Sequence, residues 1–139
     1  MHNDVMPPDQ QARDAITSDH SKTLFVEAGA GCGKTEALVS RVINLVTSAD
    51  VSIDDVAVIT FTNKAAAELR YRIRARLEEL LTACSEPSRR EKLELSLAKL
   101  DGAAISTLHG FARRLLTEHS IEARLPPSFE GLDEIYSQV

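Results

Sequence analysis

Residues 28–35 read AGAGCGKT, a phosphate-loop pattern with alanine at the first position, where the stricter form has glycine. The chemistry of such a loop is anion capture, because backbone N–H groups and a helix N-terminus converge on phosphate oxygens where no large side chain intervenes. Gly29, Gly31 and Gly33 supply the backbone freedom, with the small residues Ala30 and Cys32 between them and Ala28 before them. Lys34 is placed to reach the β and γ phosphates of a nucleotide, and Thr35 to offer its hydroxyl to the Mg²⁺ that bridges them, so the expected cofactors are ATP and Mg²⁺. Cys32 lies inside the loop, where a small side chain filling one variable position accounts for it more simply than a reactive thiol does.

Two further clusters combine polar, cationic and aromatic side chains. Residues 60–64 read TFTNK and residues 106–111 read STLHGF. An exposed Phe61 offers a stacking face, and Thr62, Asn63, Lys64 and nearby N–H groups can hold phosphates, which is the combination that grips a single nucleic-acid strand. Spacing alone leaves Phe61 equally suited to the core, with Thr62 merely capping a helix. His109 has no second histidine or carboxylate at ligand spacing, and no metal or acid–base role is assigned to it.

These clusters need elements to position them. Residues 12–16 suggest a short helix, and residues 23–28 (TLFVEA) read as a buried strand entering the glycine loop. From Glu36 to residue 46 the apolar residues Leu38, Val39, Val42, Ile43, Leu45 and Val46 recur at helical spacing. Residues 56–60 (VAVIT) have the length and branching of a fully buried parallel strand, giving strand, loop, helix, strand as one βαβ unit. From Asn63 the stripe Ala65, Ala66, Ala67, Leu69, Ile73, Leu77, Leu80 and Leu81 predicts a long helix that stops near residues 85–88. Pro87 can open the next helix, Gly102 ends it, residues 103–107 suggest a third strand, and a helix follows over about 108–120. In an open parallel sheet, ligands gather outside the carboxyl ends of the strands, where all three clusters fall.

With 139 residues, 43% hydrophobic and 27% charged, the chain has the balance of one ordinary globular unit. Cys32 and Cys84 are too far apart in sequence to form a CxxC metal site and too few for a disulfide framework, which argues for a reduced, cytoplasmic setting. No signal-peptide pattern or membrane-length apolar stretch is present, so no membrane partner is expected. The net charge of −5 argues against nucleic acid, but its distribution is uneven: residues 61–124 carry 12 basic against 9 acidic side chains. The basic residues are Lys64, Arg70, Arg72, Arg74, Arg76, Arg89, Arg90, Lys92, Arg113 and Arg114 among others, and a solvated helix face would explain them as well.

Taken in order, AGAGCGKT, ITFTNKAAAELRYRI and ISTLHGFARRLL resemble motif I, motif Ia and the next DNA-contacting motif of superfamily 1A helicases of the UvrD/Rep type, nearer the AddA and RecB branch. The resemblance spans residues 28–116. Upstream, DQQARDAI resembles the glutamine motif that reads adenine, with both Gln10 and Gln11 open as the reader. The resemblance implies an α/β fold, a partial RecA-like P-loop NTPase domain with a parallel sheet and an added helical segment over about 63–100. Residues 1–139 would form the N-terminal part of a helicase ATP-binding domain. It implies ATP at Gln10 or Gln11 and at Ala28, Gly29, Ala30, Gly31, Cys32, Gly33, Lys34 and Thr35, with Lys34 and Thr35 catalytic and Thr35 on Mg²⁺. It implies single-stranded DNA at Thr60, Phe61, Thr62, Asn63, Lys64, Thr107, His109 and Phe111, and translocation from 3′ to 5′ in DNA repair or recombination. The implied partners are the remainder of the helicase, including a second motor domain, and a nuclease or partner subunit.

One departure is large. Helicases of this type hold Mg²⁺ with an Asp-Glu pair at a strand end and use an arginine finger from a second domain. Asp133-Glu134 follows PPSFEGL, which cannot be the apolar strand that such a pair requires, and Asp54-Asp55 precedes a strand instead of ending one. The chain is therefore expected to bind ATP without hydrolysing it alone. The alternative is a stand-alone, non-catalytic nucleotide- or DNA-binding module; a small P-loop kinase fits the TFTNKAA and TLHGF strings poorly.

Overall fold

The structure is a computed structural model and describes residues 9–126. Helix α1 (Gln10–Ser18) packs on α2 (Lys34–Ser48), and a 3-10 turn (Ile53–Asp55) leads into strand β1 (Ala57–Thr60). Helix α3 (Asn63–Ala83) and helix α4 (Pro87–Lys99) follow, then a second 3-10 turn (Leu100–Gly102), strand β2 (Ala104–Thr107) and helix α5 (Leu108–Glu118). The result is a mixed α/β arrangement consistent with part of a RecA-like domain.

The helices form where the apolar spacing predicts them. Val39, Val42, Ile43 and Val46 of α2 and Ala66, Leu69, Ile73 and Leu77 of α3 recur every three or four residues and are buried. They meet Ile53, Val58, Leu93, Leu100, Ala103 and Ile105 in one core. Burying a Leu or Ile side chain contributes roughly 1.5–3 kcal/mol, so this shared stripe holds α2, α3 and α4 together far more firmly than the surface ion pairs do. Pro87 stands at the first turn of α4, where its missing N–H costs nothing and its fixed φ suits a helix start.

β1 and β2 pair in parallel, with Val58 opposite Ile105 and Thr60 opposite Thr107. The crossover between them is the α3–α4 segment, and a connection of that length is what a parallel pair requires.

Two expectations for the strands need correction. Residues 23–28 form no strand among the described residues: Phe25 is 94% exposed, and Leu24 and Val26 are also exposed. A strand exists only through hydrogen bonds to a neighbour, and among the described residues the backbone of 23–28 makes none to other backbone groups. The predicted βαβ unit over residues 23–60 is thus replaced by the one that joins β1 to β2. Nor is β1 buried on both faces, since Val58 is buried while Ile59 is 40% exposed, the alternation of a sheet packed on one side. Residues 127–139, with Asp133-Glu134, lie outside the described residues.

Candidate nucleotide and nucleic-acid site

The loop enters α2 through two left-handed residues, Gly31 at φ 76° and Gly33 at φ 80°, a conformation that disfavours any residue with a Cβ. Gly33 is the N-cap, and the first backbone bond of the helix runs from the Ala37 N–H to the Gly33 carbonyl. The N–H groups of Lys34, Thr35 and Glu36 therefore have no protein acceptor among the described residues, as at any helix start. The Lys34 Nζ donates to the carbonyls of Ala28 and Gly29, at 2.6 Å each, which folds the ammonium back over the loop. Left-handed glycines, free N–H groups and a lysine within the loop's compass together fit a nucleotide phosphate chain.

Arg13 of α1 closes the other side of the loop. Its guanidinium bonds Asp9 at 2.9 Å and reaches the Cys32 carbonyl at 3.4 Å. The hydrogen bond from Arg13, reinforced by its charge, holds the Asp9 carboxyl below its ordinary range, and the Asp9 carboxylate raises Arg13 in turn. In the same helix Gln10 donates to Asp14 at 2.8 Å, while Gln11 is exposed. A cavity of about 180 Å³ lies between the start of α2 and the first turns of α3, lined by Lys34, Thr35, Leu38, Ala65, Glu68 and Leu69. It brings the phosphate loop next to the helix that begins at the TFTNK cluster.

Both TFTNK and STLHGF sit at the carboxyl edge of the sheet, side by side, because Thr60 pairs with Thr107. Each strand ends in a threonine cap: the Thr62 hydroxyl accepts from the Ala65 N–H and the Thr107 hydroxyl from the Gly110 N–H, both at 3.1 Å. The Thr60 hydroxyl donates to the Thr62 carbonyl at 3.0 Å. Gly110 packs closely beneath the cap, where a Cβ would lie 3.3 Å from the Thr107 Oγ1 and press on it. With the threonines tying the backbone, Phe61 is left fully exposed, Asn63, Lys64 and His109 are exposed, and Phe111 is half-buried. Phe61 is thus not part of the core.

Most of the basic residues of the middle segment are already engaged. Arg72 pairs with Glu68, Arg74 with Asp101, Arg76 with Glu79, Arg90 with Glu94, Lys92 with Asp50 and Arg114 with Glu118. Arg70 is bound to backbone carbonyls. Lys64, Arg89 and Arg113 make no such side-chain bond among the described residues.

Residues 8–139 match the UvrD/REP helicase N-terminal domain. The chain belongs to that helicase family. It is 43% identical over 124 residues to an ATP-dependent helicase/nuclease subunit of Ligilactobacillus salivarius, covering 88% of this chain and 10% of that protein. The protein of the same description from Desulfitobacterium hafniense is 41% identical over 136 residues, 96% of this chain and 10% of its own length. That from Listeria welshimeri is 36% identical over 122 residues, 86% and 10% respectively. The chain thus spans about a tenth of the length of the curated relatives it matches.

In this UvrD/REP helicase domain, Asp54 is paired with Lys99 at 2.6 Å and stands before β1, so it serves the turn and not a strand end. Among the described residues no group of three or more His, Cys, Asp or Glu side chains is placed to hold a metal, and no helix is long and apolar enough to cross a membrane. Three residues near the loop do not stand out in the sequence: Arg13, Glu68 and Arg41. Arg41 donates to the Ile16 and Asp19 carbonyls and so ties the end of α1 to α2. The Asp9–Arg13 spacing of four is a readable signal for the first; the reach of Arg41 across 25 positions is not.

Proposed function

We propose that the chain is the nucleotide- and DNA-binding start of an ATP-dependent DNA helicase of repair or recombination, one that moves 3′ to 5′ on single-stranded DNA. The observation that carries this reading is the fully exposed Phe61 at the carboxyl end of β1, in register with the STLHGF segment and one short helix start away from the phosphate loop. Ala28 to Thr35 would bind the phosphates of ATP, with Lys34 as the cation and Thr35 as the Mg²⁺ ligand, and Gln10 or Gln11 would meet the adenine. Bound Mg²⁺ would neutralise charge on the phosphates. Of the two glutamines Gln11 is the freer, since the Gln10 amide is engaged by Asp14. Bases would stack on Phe61 and Phe111, with Asn63, Lys64, His109 and the capped helix starts at Thr62 and Thr107 along the backbone, and Thr60 setting the turn. The relatives are named as subunits of an ATP-dependent helicase/nuclease, which supports ATP-driven helicase work with a nuclease or a further subunit as associates; the substrate would be single-stranded DNA, and a second motor domain would complete the ATP site.

Few cations remain free, so DNA affinity is weak and falls with salt. Fluorescence anisotropy with a labelled dT oligonucleotide tests this. Phe61→Ala weakens binding by roughly 1–3 kcal/mol per stacked base. Arg89→Ala, which removes an exposed charge far from the sheet edge, has a smaller effect. Equal losses in the two variants would refute the stacking platform.

A further inference from the structure

The turn that precedes β2 is held by side chains from both DNA-facing helices. Arg70 of α3 donates to the carbonyls of Leu100 at 3.0 Å, Asp101 at 2.8 Å and Ile105 at 2.9 Å. Arg114 of α5 donates to the Gly102 carbonyl at 2.7 Å. The two guanidinium groups thereby satisfy four main-chain oxygens between Leu100 and Ile105, of which those of Leu100 and Ile105 belong to buried residues and those of Asp101 and Gly102 to exposed ones. Buried carbonyls need donors, and the rigid fork of a guanidinium can serve three at once in a fixed geometry, which a lysine cannot. The ion pairs Arg74–Asp101 and Arg114–Glu118 around the turn are well exposed and contribute little by comparison.

The placement of this clamp gives it a further consequence. Arg70 lies two helical turns after the Thr62 cap, and Arg114 two turns after the Thr107 cap. Each helix that starts at a proposed DNA-contact segment therefore sends an arginine to the same turn. β2 is only four residues long and has one strand neighbour among the described residues, so its four-residue ladder alone determines the position of the 107–111 segment weakly. We propose that Arg70 and Arg114 are positioning residues that lock the 107–111 segment to the 60–64 segment, so that one DNA strand is gripped by both. Their guanidinium groups are directed to the protein backbone, and neither is a phosphate ligand. This inference rests on the DNA reading above.

The test uses the chain with Arg70→Gln, Arg70→Lys, Arg114→Gln, Phe61→Ala and the double variant Phe61→Ala/Arg70→Gln. It reads labelled dT oligonucleotide by anisotropy, Mg-ADP by calorimetry and amide hydrogen exchange by mass spectrometry. Arg70→Gln and Arg114→Gln each weaken the oligonucleotide about tenfold, but Arg70→Gln adds less than about twofold once Phe61 is gone, because the two act through one shared geometry. Exchange at residues 104–111 quickens, Mg-ADP affinity is unchanged, and Arg70→Lys does not restore the tight form because three carbonyls need the fork. Should Arg70→Gln fail to fold, Arg114→Gln, on the exposed face of α5, carries the same test. Wild-type DNA binding in both arginine variants, with binding lost in Phe61→Ala, overturns the clamp and leaves the DNA reading standing. Losses that add fully, with exchange at 104–111 unchanged, also overturn it, since they mean direct phosphate contact. Unchanged DNA binding in Phe61→Ala itself overturns the DNA reading and the clamp's assigned purpose with it.

Discussion

Arg13 illustrates how a single side chain can report on the phosphate loop. It is shared between Asp9 and the Cys32 carbonyl, so the charge state of Asp9 governs how firmly the arginine is held against the loop. The Asp9 carboxyl is held below its ordinary value, chiefly by the hydrogen bond from Arg13. A carboxyl depressed in the folded state contributes stability that is fully present above its unfolded pKa and is lost as the pH falls through the folded one. The contribution is therefore intact at neutral pH and fades only below about pH 4. An NMR titration of the Asp9 side-chain carbonyl gives a midpoint below that of an unpaired aspartate, and Arg13→Ala moves it upward. A midpoint that ignores Arg13→Ala contradicts the pairing. Asp50 behaves in the same sense, depressed by the hydrogen bond and charge of Lys92, and the same titration resolves it.

At the scale of elements, the two strand-to-helix junctions are built alike, and both depend on a threonine. Thr62→Ala and Thr107→Ala each remove an N-cap and destabilise the chain by about 1 kcal/mol, while serine at either place retains most of the cap. Urea denaturation followed by circular dichroism checks this, and no difference between Ala and Ser would count against the caps. The Thr62 cap is legible in the sequence because a cap is a local signal, a Thr set directly before a helical pattern. So are α2 and α3, whose buried stripes are regular over several turns, and α4, which opens on Pro87. Residues 23–28 read as a strand for a sound local reason, their apolar run, yet strand formation depends on a neighbour that no local pattern supplies. The basic segment leaves two readings open in the sequence. Arg72, Arg76, Arg90 and Arg114 pair with carboxylates three or four positions away, as helical spacing allows, whereas Arg70 and Arg74 reach partners 27 to 35 positions away that periodicity cannot show. The phosphate-loop pattern is legible because it lies in consecutive residues, and Gly31 and Gly33 take the left-handed conformation that such a pattern asks of its glycines.

For the whole molecule, binding and turnover are expected to separate. The groups that would hold a nucleotide converge at the start of α2, whereas among the described residues neither strand ends in an acidic pair, β1 running into Phe61-Thr62 and β2 into Leu108-His109. Absence of an arginine finger alone lowers the rate of phosphoryl transfer by about 10³–10⁵. The purified chain is accordingly expected to release no phosphate from ATP above background, with or without a dT oligonucleotide, in a coupled phosphate assay. DNA-stimulated hydrolysis that disappears in Lys34→Ala would show that the chain holds a complete catalytic set.

Leu24, Phe25 and Val26, which lie outside the sheet, are exposed, as is Ile59 of β1. Nucleotide binding is expected to run through the loop in which Lys34 lies against the Ala28 and Gly29 carbonyls. The most direct test is a calorimetric titration of Mg-ADP into the chain and into Lys34→Ala, at matched folded concentration. A saturable one-site heat in the first and none in the second is the expected result, and equal binding by both would contradict the role given to the loop.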